Sequence, residues 1–340
     1  MGLFRPAGMP DHLYDFYQWT PQSRGLYESN YIKANSPDGQ RAVWIKHNIL
    51  APARPDVPAV AELWCVLFEK GRAPRALKET VEMARLKTSA TQARMEGEGV
   101  LISPDRSATR IEMNGRSAQW DITFSATPGP FGQPVVIYPW ARLYTLGFPK
   151  KKVVTPVPIN RWDGELTFEG EVIEIDGWTG FRNHNWGTEH AHRYAYGNCN
   201  LFDDREDAFF EGFSAKLKKG PLTTPFISAG LLRLGEDDRP WSGLGSLVRA
   251  RAQVSFPRWS MTLEGPAGRL QWQQQADPDS FVCLRYHHPG GAQSFCYNSK
   301  FAHTTLRFES KSGERVTLVS QEGELEILEN TAAAKIPIHG

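Results

Sequence analysis

Apolar and polar positions alternate over short segments along most of the chain, and turn residues separate these segments. The segment YESNYIKANS is followed by the turn sequence SPDG and then by QRAVWIKHNIL, which predicts a hairpin. Similar segments recur to the C-terminus at a spacing that is typical of sandwiches and barrels. Strong helix formers concentrate in PRALKETVEMARLKT, which predicts a helix over residues 74–88. The pattern therefore predicts an all-β protein with few short helices.

Composition and charge narrow the class of protein. Hydrophobic residues make up 40% of the chain and charged residues 23%, which supports a packed core. The net charge of +1 gives no electrostatic footprint of a nucleic-acid partner. We interpret the basic cluster PKKKVV, residues 149–154, as a solvated loop. No segment resembles a signal peptide or a transmembrane span, so we expect a cytoplasmic protein.

The sequence lacks the characteristic motifs of several enzyme classes. The four cysteines show no CxxC spacing, and we interpret them as reduced thiols. There is no GxSxG, no P-loop and no GxGxxG before a helix, which are the signatures of serine hydrolases, NTPases and dinucleotide-binding enzymes. We therefore expect no cofactor. A length of 340 residues suits two domains, and we divide the chain into residues 1–165 and 166–340.

The densest set of chemically versatile side chains lies in GFRNHNWGTEHAHRYAYGNCN, residues 180–200. If HAHRYAYGNCNLF is a strand, its side chains alternate between two faces. A face made only of imidazole, phenol and amide groups is too polar for a dry core and is typical of a ligand cavity. The alternative is a face that is simply exposed to solvent. The residues on this face are His190, His192, Tyr194, Tyr196, Asn198 and Asn200.

A single acidic residue interrupts an apolar row on the next predicted strand, DAFFEGFSAKL. Alternation places Glu211 on the same face as Phe209 and Phe213. If this face points inward, desolvation raises the pKa of the Glu211 carboxyl and makes it a candidate proton donor. The alternative is a buried carboxylate that is paired with an arginine.

The sequence NHNWG, residues 183–187, predicts a bend or bulge in which Gly187 relaxes the backbone. Such a bend would orient His184 and Trp186 differently from the strand that follows. Trp186 could then stack on an unsaturated substrate, and a cation would be stabilised over its ring face.

The spacing of His190 and His192 leaves a metal site open as a further alternative. Two histidines on one strand face can provide two ligands, and His184, Glu189 or Glu211 could complete the set. An HxH pair alone is a weak signal, so we predict no metal.

In GWTGFRNHNWGTEHAHRYAYG the chain resembles the superfamily of hydroxyneurosporene synthase (carotenoid 1,2-hydratase), AttH-like proteins and tocopherol cyclase. The segment LYESNYIKANSPDGQRAVWIKHNIL resembles the first-domain opening of these proteins. The resemblance implies two lipocalin-like (calycin-type) antiparallel β-barrel domains and chemistry on hydrophobic, often isoprenoid, unsaturated molecules. The family motif often begins with Asp, whereas this chain has Asn183, which cannot act as an acid. Glu189 and Glu211 are the candidates to replace that acid.

We therefore predict a cofactor-independent hydratase, cyclase or isomerase that acts on a hydrophobic unsaturated small molecule of isoprenoid or polyketide type. It would protonate a C=C bond or hold the substrate in a reactive conformation. The alternatives are a lipocalin-like binding protein without turnover and a metal-dependent hydrolase. The candidates for proton transfer are His184, Glu189, His190 and Glu211. The candidates for substrate binding are Asn183, Asn185, Trp186, His192, Tyr194, Tyr196 and Asn198.

Overall fold

The computed structural model describes residues 2–4, 6, 16–89, 91–332 and 335–340. Over these residues the protein is all-β, with two large curled antiparallel sheets of lipocalin-like form, which confirms the predicted fold class. Across the same residues, no helix has the length and apolar character that a membrane-spanning helix requires. The helical segments described are the α-helix α1 (Leu244–Arg249) and the 3-10 helices Met83–Arg85, Gly129–Gly132, Ala141–Tyr144 and Pro278–Ser280.

The first sheet takes up the chain from Leu26 to Gly187. Within the described residues its strands are β1 (Leu26–Asn35), β2 (Arg41–Ala51), β3 (Val60–Glu69), β4 (Arg75–Glu82), β5 (Lys87–Thr88), β6 (Met95–Gly97), β7 (Val100–Ile102), β8 (Arg106–Met113), β9 (Arg116–Ala126), β10 (Val135–Val136), β11 (Lys151–Phe168) and β12 (Glu171–Gly187). Their order is β4-β3-β2-β1-β12-β11-β9-β8-β7-β6-β5, with β10 beside β11. The predicted hairpin over β1 and β2 is confirmed.

The second sheet begins after β12. Within the described residues its strands are β13 (Arg193–Cys199), β14 (Ala208–Lys216), β17 (Ile227–Leu234), β18 (Asp237–Trp241), β19 (Arg251–Ser255), β20 (Arg258–Gly265), β21 (Gly268–Gln275), β22 (Val282–His287), β23 (Gln293–Glu309), β24 (Arg315–Glu329) and β25 (Ile338–His339). The main order is β18-β17-β14-β13-β24-β23-β21-β20-β19, and β15 (Lys218–Lys219) pairs separately with β16 (Leu222–Thr223). The predicted boundary between the two domains, at residues 165 and 166, falls within β11 and stays a prediction.

Each sheet has its own apolar core, and a further apolar layer joins the two sheets. The core of the first sheet includes Trp120 and Trp162, and that of the second includes Trp241. The joining layer contains residues of both sheets, such as Trp44 on β2 and Phe209 on β14. Burial of these large rings supplies much of the hydrophobic stabilisation and fixes how the sheets face each other.

The helix predicted over residues 74–88 is wrong. This segment forms β4, the 3-10 helix Met83–Arg85 and β5. Strand β4 pairs with β3, and its Leu77 and Val81 side chains alternate into the core. Pairing and burial of this alternating set outweigh the high helix propensity of the residues.

The bend or bulge predicted over residues 183–187 is also wrong for β12; the irregularity lies on β11, whose register against β12 shifts between Val154 and Val157. Residues 183–187 form the end of β12 and pair in regular register with β1 on one side. On the other side β11 approaches so closely that a Cβ atom at Gly187 would lie 2.0 Å from the carbonyl oxygen of Lys150. Gly187 therefore serves close strand approach rather than a change of direction.

Candidate functional site

A cavity of about 1390 Å³ lies between the two sheets. This volume is ample for a small organic molecule. Strands β11 and β12 form one side, and β13 and β14 form the other. The apolar part of the wall includes Leu143, Phe148, Val153, Phe213, Ala215, Leu217 and Ile227. The polar part includes Tyr31, Lys151, Asn183, Asn185, His190, His192, Tyr194, Tyr196 and Glu326.

The carboxyl group of Glu211 lies one hydrogen bond behind this wall. Glu211 is 1% exposed. Its Oε1 accepts a hydrogen bond from the Tyr196 hydroxyl at 2.7 Å, and its Oε2 accepts one from Thr155 Oγ1 at 2.8 Å. Desolvation raises the pKa of Glu211 to about 7, although these two donors lower it. A substantial fraction of the carboxyl is therefore protonated at neutral pH. Its hydrogen-bond partners among the described residues do not include an arginine, so the ion-pair alternative finds no support there.

Strand alternation brings these groups together. Tyr194, Tyr196 and Asn198 project from one face of β13, as the sequence predicts. Strand β14 lies beside β13, with Asn198 directly opposite Glu211 in the register. The polar face of β13 is buried between the sheets rather than exposed to solvent. The solvent-exposed alternative is therefore wrong for this face.

Amide and phenol groups extend the Glu211 site across to the first sheet. The side-chain nitrogen of Asn183 lies 3.4 Å from Glu211 Oε1 and 3.3 Å from the Tyr196 hydroxyl. Asn185 donates to the Asn183 side-chain oxygen at 3.0 Å, which orients the Asn183 amide. Tyr31 donates to the Tyr196 hydroxyl at 3.3 Å. The result is a continuous hydrogen-bonded chain from the cavity wall to Glu211.

A second buried polar cluster lies beside the first on β23 and β24. Glu326 accepts hydrogen bonds from Asn298 at 2.6 Å and from Tyr194 at 3.4 Å. Asn198 donates to Glu324, which also pairs with Lys300. Asn198 therefore belongs to this cluster, whereas Tyr194 lies between the cluster and the cavity.

His190, His192 and Glu189 lie near one another at the cavity but in different environments. His190 is buried and stacks on Tyr27 with 4.2 Å between ring centroids. Desolvation, reinforced by Lys151, holds the pKa of His190 well below its usual range, so the ring is neutral. His192 is half-buried and hydrogen-bonds Asn330 at 2.6 Å. Glu189 is exposed at the edge of the cavity and pairs with Lys150.

His184 and Trp186 lie on the opposite face of β12 from Asn183 and Asn185. His184 Nε2 contacts the buried Glu28 carboxylate at 2.7 Å, and its ring stacks on Trp186 at 4.7 Å. Trp186 packs in a small apolar cluster with Tyr144. Because the strand continues without the predicted bend, period-two alternation directs both rings away from the cavity. Trp186 therefore does not form the stacking wall that the bend predicted.

Sequence reasoning missed several residues of the site. Thr155 and Tyr31 come from β11 and β1, where the alternating pattern carries no chemical signal. Lys151 lies in the PKKKVV cluster, and the solvated-loop interpretation of that cluster is wrong from Lys151 onward because β11 begins there. Lys46 on β2 lies in a small inner pocket next to the cavity. Only the sheet pairing brings these four residues together.

The described residues contain no group of three or more His, Cys, Asp or Glu side chains placed to hold a metal ion. His190 and His192 lie close in sequence, but His192 is engaged by Asn330 and His190 by aromatic rings. The four cysteines are buried free thiols.

Comparison with known proteins gives matches at the level of structure. No family model matches the sequence, and no curated protein matches it. AttH from Nitrosomonas europaea has a TM-score of 0.57 and 14% identity, over 97% of this chain and 100% of that chain. CghA has a TM-score of 0.54 and 10% identity, over 96% and 97%. CghA has also been solved with Sch210972. Kievitone hydratase from Nectria haematococca has a TM-score of 0.49 and 10% identity, over 97% and 98%. The chain therefore has the fold of AttH and CghA over nearly its whole length, as the sequence resemblance implies.

Proposed function

We propose that the protein is a hydratase or cyclase that acts on a hydrophobic unsaturated small molecule held in the cavity between the sheets. Glu211 is the source of the proton in this proposal. The supporting observation is a buried carboxyl, with a pKa raised to about 7, that is hydrogen-bonded to Tyr196 and Asn183 on the cavity wall. A general acid works best when its pKa lies near the operating pH.

Tyr196 transmits the proton, because it lines the cavity and contacts Glu211. When Glu211 is protonated, its carboxyl donates to the Tyr196 oxygen, and the Tyr196 O–H is free to turn toward the substrate. As the π electrons of the alkene form a new C–H bond, the Tyr196 O–H bond breaks. The Tyr196 oxygen takes the proton of the Glu211 carboxyl at the same time, and Glu211 becomes a carboxylate. Water adds to the resulting cation and loses a proton, which returns to Glu211 through Tyr196. The net reaction is addition of one water across the double bond.

Cyclisation follows the same route with a different capture step. An internal hydroxyl or a second double bond of the substrate attacks the cation, and loss of a proton restores Glu211. The aromatic rings of Tyr138 and Phe213 at the cavity can shield the cation. Asn183 and Asn185 orient the water or the internal hydroxyl by hydrogen bonds. The neutral His190 can accept a hydrogen bond from that water.

The remaining candidates have supporting roles in this proposal. Tyr194 and His192 contact the substrate at the cavity wall, and Glu189 contacts it at the edge of the cavity. His184 and Trp186 hold β12 in place from the opposite face. The fold is compatible with an organic guest, since CghA, which shares it, has been solved with Sch210972.

A binding protein without turnover is the second candidate. The cavity volume of about 1390 Å³ favours it, because such a space can hold a hydrophobic ligand without any chemistry. A third possibility lies between the enzyme and the binding protein: the cavity holds a reactive substrate in one conformation, and the reaction then needs no acid.

Turnover by the purified protein distinguishes these candidates. A panel of unsaturated isoprenoid and polyketide-like compounds is incubated with the protein in heavy-oxygen water and, separately, in deuterium oxide. Hydration gives a product heavier by one labelled water, and cyclisation gives an isomer with a new retention time and carbon-bound deuterium. Compounds that bind but remain unchanged would contradict the enzymatic proposal and favour the binding protein.

A further inference from the structure

An inner pocket adjoins the cavity at its polar end, with a volume of about 20 Å³. It shares Lys151, Asn185 and Tyr194 with the cavity wall. A space of this size holds about one water-sized polar group. The inner pocket can therefore receive a small terminal group of a molecule whose body lies in the cavity.

Two lysines direct their ammonium groups toward this pocket. Lys46 is 5% exposed, and its Nζ lies 3.8 Å from the centre of the Tyr286 ring. Lys151 Nζ lies 4.5 Å from the centre of the Tyr194 ring. Within the described part of the chain, neither ammonium forms an ion pair with a carboxylate. Cation–π contacts offset only part of the cost of removing an ammonium group from water.

One carboxyl group, that of Glu326, lines the inner pocket together with the two lysines. Glu62 pairs with Lys78 at 2.6 Å, and Glu326 accepts hydrogen bonds from Asn298 and Tyr194. Burial and the neighbouring Glu324 raise the pKa of Glu326, and Lys300, Lys151 and Lys46 lower it. Desolvation lowers the pKa of Lys46 to about 8, so Lys46 still carries its proton at neutral pH. Two lysines thus line the inner pocket, against the single carboxyl group of Glu326.

Two further polar atoms at the inner pocket lack partners among the described residues. They are the Ser29 hydroxyl oxygen and His190 Nδ1, and both are buried. Buried polar groups are normally hydrogen-bonded, so an unsatisfied set beside two ammonium groups indicates a missing polar guest.

We propose that the inner pocket binds an anionic oxygen group of the substrate, either a carboxylate or an enolate. This inference rests on the proposed function and specifies its substrate class: a hydrophobic unsaturated acid or enolised carbonyl compound. Lys46 and Lys151 neutralise the charge, and Ser29 donates a hydrogen bond. The hydrocarbon body then extends into the cavity past Asn185 and Asn183 toward Glu211.

The test compares two probes with one hydrocarbon skeleton, retinoic acid and retinol, by quenching of tryptophan fluorescence at pH 7. Charge-assisted hydrogen bonds to two ammonium groups should make retinoic acid bind about tenfold more tightly than retinol. Lys46→Met and Lys151→Met should each remove most of this preference, and wild-type circular dichroism spectra show that the variants are folded. Lys152→Met, on the opposite face of β11, is the matched control and should keep the preference.

Three results would overturn the proposal: equal affinity for the two probes, no binding of either, or a preference that survives both lysine substitutions. Sodium acetate tests for a free-anion site and should bind at least about a hundredfold more weakly than retinoic acid, because it lacks the skeleton that fills the cavity. Tight binding of acetate would also contradict a site for a substrate group. These measurements involve no turnover, so their outcome is independent of whether Glu211 proves to be the acid.

Discussion

The side-chain amide of Asn183 donates to the carboxyl of Glu211 across the interface between the two sheets, at 3.4 Å. Asn183 stands where the motif of the resembling families often has Asp. In our proposal the acid lies on β14 instead of β12, within hydrogen-bonding distance of Asn183. In this proposal the motif on β12 has no acid of its own, and Glu211 on β14 takes that role beside Asn183.

The pH dependence of turnover tests this relationship. Turnover should fall as pH rises through about 7, because Glu211 must be protonated and its pKa is raised to about 7. Asn183→Asp places a second carboxyl beside Glu211, so the pair should retain one shared proton to a pH about one unit higher or more. The alkaline limb of the pH–rate profile should move upward accordingly. Asn183→Ala adds no charge and removes only one long hydrogen bond, so it should move the limb much less than Asn183→Asp does. If the limb does not move in Asn183→Asp, the residue at position 183 does not interact with the acid.

Conformational stability should also depend on the protonation of Glu211. Its pKa is about 7 in the folded protein and 4.5 in an unperturbed chain. Between these values the folded state retains a proton that the unfolded state has lost, so stability falls as pH rises through this window. Above pH 7 the whole contribution, about 3 kcal/mol, is lost.

Glu211→Gln removes this contribution because glutamine does not titrate. Relative to the wild type, the variant should gain about 2.5 kcal/mol in the free energy of unfolding between pH 5 and pH 8, as measured by urea denaturation. Glu174→Gln, at an exposed position of β12, is the control and should keep the wild-type slope. An unchanged slope in Glu211→Gln would mean that Glu211 is ionised in the folded protein throughout this range.

His184 should matter for stability rather than for chemistry. It contacts Glu28 at 2.7 Å, and both side chains are buried. His184→Ala leaves a buried carboxylate without one of its partners, which should lower the free energy of unfolding by about 3 kcal/mol. His184→Gln can still donate to Glu28 and should recover part of this loss. Turnover per folded molecule should stay at the wild-type level; a specific loss of turnover in a stable variant would assign His184 to the reaction.

The parts of the site that follow from local alternation could be predicted from the sequence. Period-two spacing placed Tyr194, Tyr196 and Asn198 on one face, and it placed Glu211 alone in an apolar row. The hairpin of β1 and β2 followed from its turn residues in the same way. Such predictions need only the geometry of one strand and its immediate turn.

The parts that depend on pairing between distant strands could not be predicted. Thr155 reaches Glu211 from β11, and Lys46 reaches the inner pocket from β2, although neither segment carries a recognisable motif. The orientation of His184 depended on a bend that β12 does not have, because β12 pairs with β1 in unbroken register over these residues. Residues 74–88 have high helix propensity, yet pairing with β3 decides their conformation.

The most direct test of the central claim is to measure turnover and substrate affinity for Glu211→Gln beside Glu322→Gln. Glu322 is a matched control, because burial also raises the pKa of its carboxyl, whereas among the described residues that carboxyl has no hydrogen bond to a side chain of the cavity wall. We expect Glu211→Gln to lose about a hundredfold or more in turnover while it still binds substrate, and Glu322→Gln to retain both. Wild-type turnover in Glu211→Gln would contradict the assignment of Glu211 as the source of the proton.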